Sequence, residues 1–125
     1  MSRRIVAVVA GLFAWMIVVN VAGLILRLSW PAYASVAAAL TFTLGMMIAR
    51  LAIGALATLA MGLVTAKIVP ASAIVRLLPG VLLLLFFIPV HVNLWNRFPV
   101  WYHLTFLLSL VPLTYAGGRM ADTSG

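Results

Sequence analysis

Apolar positions in this chain form long unbroken runs. They show neither the alternation of a half-buried strand nor the three-to-four spacing of a half-buried helix. Residues 5–26 are 22 positions without a charge, preceded by Arg3-Arg4 and closed by Arg27. Ser29-Trp30-Pro31 interrupts the pattern, because the residue before a proline is pushed out of the helical region. The next run, residues 34–66, is 33 positions long with Arg50 as its only charge. One helix of that length would reach about 50 Å, well beyond a hydrocarbon layer of about 30 Å. The pattern therefore predicts an outer, interfacial segment at 33–42 leading into a span over 43–66. A single long tilted helix is the competing arrangement. A turn with Pro70 and Ser72 follows, then a third span over 74–90 holding Pro79-Gly80 and Pro89. Residues 91–99 read as a polar, aromatic loop. A fourth span covers 100–116, and Gly117-Gly118 are expected to end it, leaving a short polar tail at 117–125.

Composition changes this from a list of apolar segments into a fold class. Hydrophobic residues are 66% of the chain and charged residues 7%, against roughly 45–50% and about 25% in soluble domains. So few charges cannot clothe a water-soluble surface, whereas four spans of about 20 residues suit a bilayer. The expectation is an all-α, integral membrane four-helix transmembrane bundle, one domain over residues 1–125. An N-terminal secretory signal fits less well: the first apolar run is long for a signal core, and Asn20-Val21-Ala22 is a poor cleavage site. With four spans, Arg3, Arg4, Lys67, Arg76 and Arg119 share one side, and Arg27 and Arg97 the other. The excess of positive residues puts both termini in the cytoplasm, as in a bacterial inner-membrane protein.

The residue inventory excludes much chemistry. No cysteine is present, which removes disulfides, thiolate nucleophiles and cysteine-held metals. Asp122 is the only carboxylate, so paired acids and carboxylate metal cages are absent. Small multidrug exporters have a similar size and helix count but depend on a first-helix Glu that this chain lacks. The Gly-rich and Asn/Phe patterns of fluoride channels are absent as well. The expectation is a non-enzyme without cofactor or metal. A net charge of +7 would suit nucleic acid if the basic residues formed a stripe. They are scattered singly among apolar neighbours, which fits topology and lipid phosphate instead.

Two features could carry function. On the second span Arg50, Gly54, Thr58, Gly62 and Ala66 recur every four residues, a small-residue ridge suited to close helix packing within the bundle or between copies. Arg50 heads that ridge and either snorkels outward or faces an outward-open polar pocket. Polar residues gather at the same end: Asn20 and Arg27 share one face of the first helix with Gly23, His91, Asn93 and Asn96 fall in the outer loop, and His103 opens the fourth span. Tyr102, Thr105 and Ser109 share a face by spacing. A cationic cluster without carboxylates suits an anionic group such as lipid phosphate. Trp30, Tyr33, Trp95, Trp101 and Tyr102 form an aromatic belt at headgroup depth. The two histidines could be drawn as axial haem ligands if their depths and faces matched. Ser109 and His103, six positions apart on a helix, cannot form a nucleophilic pair.

The stretch Asn93-Leu94-Trp95-Asn96-Arg97-Phe98-Pro99-Val100-Trp101-Tyr102-His103-Leu104-Thr105-Phe106 resembles a segment of small, uncharacterised bacterial four-span membrane proteins. Ala49-Arg50-Leu51 is similar to their second span. The resemblance implies topology and transfers no activity or site residue. The functional expectation is a non-catalytic subunit that contacts membrane lipids or associates with partners, as a homo-oligomer or within a larger membrane complex. Alternatives are a passive conduit for anions or small solutes and a haem-bearing anchor.

Overall fold

The computed structural model describes residues 2–123 as an antiparallel helical bundle. α1 spans Arg3–Ser29, α2 Pro31–Val36, α3 Leu44–Ile68, α4 Ala73–Asn93 and α5 Val100–Thr123, with a 3-10 turn at Trp95–Arg97 before α5. Three of these (α1, α3 and α4) are long and apolar enough to cross a membrane. α5 is comparably long at 24 residues but carries more polar side chains. Successive long helices run in opposite directions. Arg3 Nε reaches the Ile68 carbonyl at 2.7 Å and Arg76 Nη2 the Gly118 carbonyl at 2.7 Å, so the termini share one end with the α3–α4 turn.

The boundaries have local causes. Ser2, Thr43 and Ser72 each accept a backbone N–H in the first turn of α1, α3 and α4, supplying a partner that the helix itself lacks. Pro31 starts α2 in its first turn, where the missing N–H costs nothing. Leu40 then takes φ +59°, a left-handed turn, as its N–H closes onto the Val36 carbonyl at 3.0 Å. Residues 31–43 are therefore a short helix and a turn, and the single long tilted helix is not formed.

Two expected boundaries are corrected. α4 continues to Asn93, so His91 and Asn93 belong to its last turn and not to a loop. Gly117-Gly118 do not end α5, which continues to Thr123; the polar tail is largely helical, and Ser124 and Gly125 lie outside the described residues. The reason is packing. A Cβ on Gly117 would collide with the Leu59 carbonyl, so glycine is required there for close approach of α5 to α3.

α3 is the central helix, lying between α1 and α5, while α4 closes against α5. Its ridge is occupied within the chain: a Cβ on Gly62 would strike the Thr114 carbonyl, one on Gly54 would meet the Phe106 ring at 3.2 Å, and Thr58 and Ala66 are buried. This small-residue face is consequently closed to a partner protein or a second copy. On the other side Gly11 of α1 leaves room for Thr65, whose hydroxyl lies 3.3 Å from the Ala7 carbonyl.

The burial pattern is inverted relative to a soluble domain. Leu28, Ile74 and Leu108 are 70–80% exposed, whereas Thr58, Thr65, Thr114 and His103 are at most 1% exposed. Each buried threonine donates to a carbonyl four residues back, so its hydroxyl is satisfied without water. Large apolar groups outside and satisfied polar groups inside are what a hydrocarbon solvent selects. Together with the three apolar helices, they support a membrane protein.

Candidate functional site

At the end opposite the termini, α1, α3, α4 and α5 line a cavity of about 540 Å³, to which α2 adds Tyr33. Each helix contributes for its own reason. α3 brings Arg50, about two turns after its Thr43 cap. The Trp30-Pro31 break folds α2 back so that Tyr33 is buried beneath it. The unforeseen last turn of α4 brings His91, and the first turn of α5 brings Tyr102.

Arg50 is held from three directions. Its Nη1 donates to the Tyr33 hydroxyl at 2.8 Å and its Nε to the Tyr102 hydroxyl at 3.1 Å. The Phe42 ring lies 4.6 Å from the guanidinium carbon, a cation–π distance. The side chain therefore does not simply snorkel into water; it is half-buried and points into the cavity wall. Among the described residues no carboxylate lines this cavity, since Asp122 pairs with Arg76 at 3.0 Å at the far end.

The histidines converge. His91 Nδ1 and His103 Nδ1 lie 2.7 Å apart, and His103 Nε2 lies 3.2 Å from the Trp95 carbonyl. His103 is sandwiched flat against the Trp95 ring at 4.6 Å, and His91 is stacked on Phe106 at 4.9 Å. The two imidazoles touch directly, leaving no gap between them for a macrocycle plane. They do not form a bis-imidazole haem site.

Of the expected cluster, Asn20, Arg27, Arg50 and His91 line the cavity, and His103 sits one residue behind it through His91. Asn20 and Arg27 are at its exposed rim, and Asn20 also bonds the Met16 carbonyl at 2.7 Å. Asn93 and Asn96 are exposed and do not reach the cavity. The shared face of Tyr102 and Thr105 also splits: Tyr102 is buried and Thr105 exposed. Sequence reasoning assigned Tyr33 and Tyr102 to a headgroup belt and so missed them as ligands of Arg50. Arg50 without an intramembrane carboxylate was the available signal that neutral hydroxyls had to serve.

Below the polar groups the wall is aromatic. Trp15 packs on Phe87 at 5.4 Å and Phe87 on Phe106 at 5.1 Å, and Trp15 Nε1 donates to Thr58 at 3.3 Å. These rings rest on Met61, Leu83 and Leu110, the central core. A smaller cavity of about 180 Å³ near Arg76 and Arg119 lies at the other end. Met61, Leu83 and Leu110 pack beneath the larger cavity.

Comparison with known protein families, curated proteins and solved structures finds no match to this chain. The functional reading therefore rests on the geometry of the cavity alone.

Proposed function

We propose that this chain is a non-catalytic, four-span inner-membrane protein of bacterial type whose outer cavity binds the anionic headgroup of an amphiphile, a membrane lipid above all. In this reading α5 is the fourth crossing. Its polar side chains do not oppose that, because Tyr102, His103 and Thr114 are turned inward and buried. Both termini lie in the cytoplasm, the end rich in Arg3, Arg4, Lys67, Arg76 and Arg119, and the cavity opens toward the extracytoplasmic side.

The observation that carries the reading is Arg50. It is a fixed cation in the wall of a cavity whose floor is aromatic, neutralised by no carboxylate there and oriented by two tyrosines. In a bilayer an arginine costs about 2.5–3.5 kcal/mol at depth on insertion scales, and a bound anion offsets that cost. Aromatic and aliphatic walls directly beneath suit the acyl chains or glycerol backbone of the same molecule. The buried cluster of Met61, Leu83 and Leu110 packed beneath the cavity's aromatic floor favours a binding site over a conduit through a single chain.

The test is native mass spectrometry of the full chain released from phosphatidylcholine nanodiscs doped with phosphatidylglycerol. The reading expects retained phosphatidylglycerol in preference to phosphatidylcholine. Arg50→Ala should reduce that retention about tenfold or more, the scale of a lost charge-assisted hydrogen bond. Equal retention of both lipids, unchanged in Arg50→Ala, would overturn it.

A further inference from the structure

The hydrogen-bonding pattern around Arg50 counts what a ligand must offer. Arg50 donates to the hydroxyls of both Tyr33 and Tyr102. Each tyrosine oxygen thus accepts, and its own O–H remains available to donate. Both side chains line the cavity. With the remaining guanidinium N–H groups, the buried wall presents donors from these three side chains, beside Asn20 and Arg27 at the rim.

The histidines set an acceptor beside these donors. A carbonyl can only accept, so the contact from His103 Nε2 to the Trp95 oxygen places a proton on His103 Nε2. In the neutral ring His103 Nδ1 is then bare, and the 2.7 Å contact requires His91 Nδ1 to donate to it. His91 Nδ1 holds its proton, so His91 Nε2 is the bare nitrogen. It has no protein hydrogen-bond partner among the described residues, and His91 is part of the cavity wall. The Trp95 carbonyl, acting through two rings, thereby fixes a hydrogen-bond acceptor in a donor-lined cavity.

We infer that this cavity selects the monoanion of a phosphate monoester: its two unprotonated oxygens, each able to accept more than one hydrogen bond, take the donors of Arg50, Tyr33 and Tyr102, and its P–OH donates to His91 Nε2. A carboxylate can accept from the three donors but brings no proton for the histidine. A phosphodiester without a headgroup hydroxyl can satisfy the donors but leaves His91 Nε2 facing an oxygen lone pair. The inference rests on the anionic-headgroup reading and narrows it. The monoester can come from a lipid, such as phosphatidic acid, or from a water-borne phosphate.

The test compares phosphatidic acid with phosphatidylmethanol, an anionic diester lacking the P–OH, on the full chain in phosphatidylcholine nanodiscs at about pH 5, below the second ionisation of a phosphate monoester at about 6. The wild-type chain should hold phosphatidic acid about tenfold more tightly. His91→Phe should abolish that preference while leaving phosphatidylmethanol binding intact, and Arg50→Ala should weaken both. Equal affinity of the wild-type chain for the two lipids overturns the monoester inference and leaves the anionic-headgroup reading standing. Binding of neither overturns both. Competition by glycerol 3-phosphate would assign the water-borne source, and its failure to compete the lipid. Nitrogen-15 NMR of labelled histidines provides a readout independent of the variants' folding. Protonated Nδ1 on His91 and protonated Nε2 on His103 are expected, and the reverse assignment overturns the inference.

Discussion

Arg50 is held near the start of α3 by three aromatic side chains from outside its own helix: Tyr33, Phe42 and Tyr102. Two are separated from it in sequence by 17 and 52 positions, so no local pattern could name them. The same holds for His91 and His103, whose separate positions are plain in the chain while their 2.7 Å contact depends on the extra turn of α4. Trp15 belongs to this scale too, since its indole N–H ties α1 to Thr58 at the cavity floor. Trp15→Phe keeps the ring and removes that donor. It should lower stability by about 1 kcal/mol, read as a small fall in the thermal midpoint in detergent.

At the scale of helices, the organising fact is how closely α3 approaches its neighbours. Gly62 and Gly117 sit where any side chain would meet backbone across the α3–α5 interface. Gly62→Leu and Gly117→Leu should each separate the two helices, with a loss of more than about 3 kcal/mol expected from overpacking against rigid backbone. Loss of the folded species by size-exclusion chromatography or thermal unfolding would register it. Gly23 of α1 is the control, because nothing lies within 4 Å of its would-be Cβ. Gly23→Ala should be neutral or should stabilise by about 0.5–1 kcal/mol, the usual helix preference for alanine. The glycine spacing on α3 was visible in the sequence, and so was its suitability for packing. The identity of the partner was not. Gly117-Gly118 show the ambiguity most clearly, since the same dipeptide can end a helix or admit another helix beside it.

For the whole molecule, the alternating helix directions place both termini and the α3–α4 turn at one end. The charge asymmetry then turns that geometry into the proposed cytoplasmic orientation. The chain has no cysteine, so single-cysteine variants can be labelled without background. Thr41→Cys, in the exposed turn after α2, should react with a membrane-impermeant maleimide applied to intact spheroplasts. Lys67→Cys, at the other end of α3, should react only after the membrane is opened. The reverse result would invert the topology, and labelling of both from outside would remove the four-span reading.

The apolar runs and scarcity of charge, by themselves, determined that the chain is helical and where three long apolar helices lie, because backbone satisfaction in hydrocarbon permits few other solutions. The Trp30-Pro31 break likewise located a boundary through short-range sterics. Only the tertiary structure decided that α4 gains a turn, that α5 passes through its glycines, and that Arg50 meets two tyrosines beside a coupled histidine pair. Those outcomes depend on contacts between residues distant in the chain. Such contacts arise when small side chains let helices close on one another, an arrangement that residue spacing along one helix allows but does not specify.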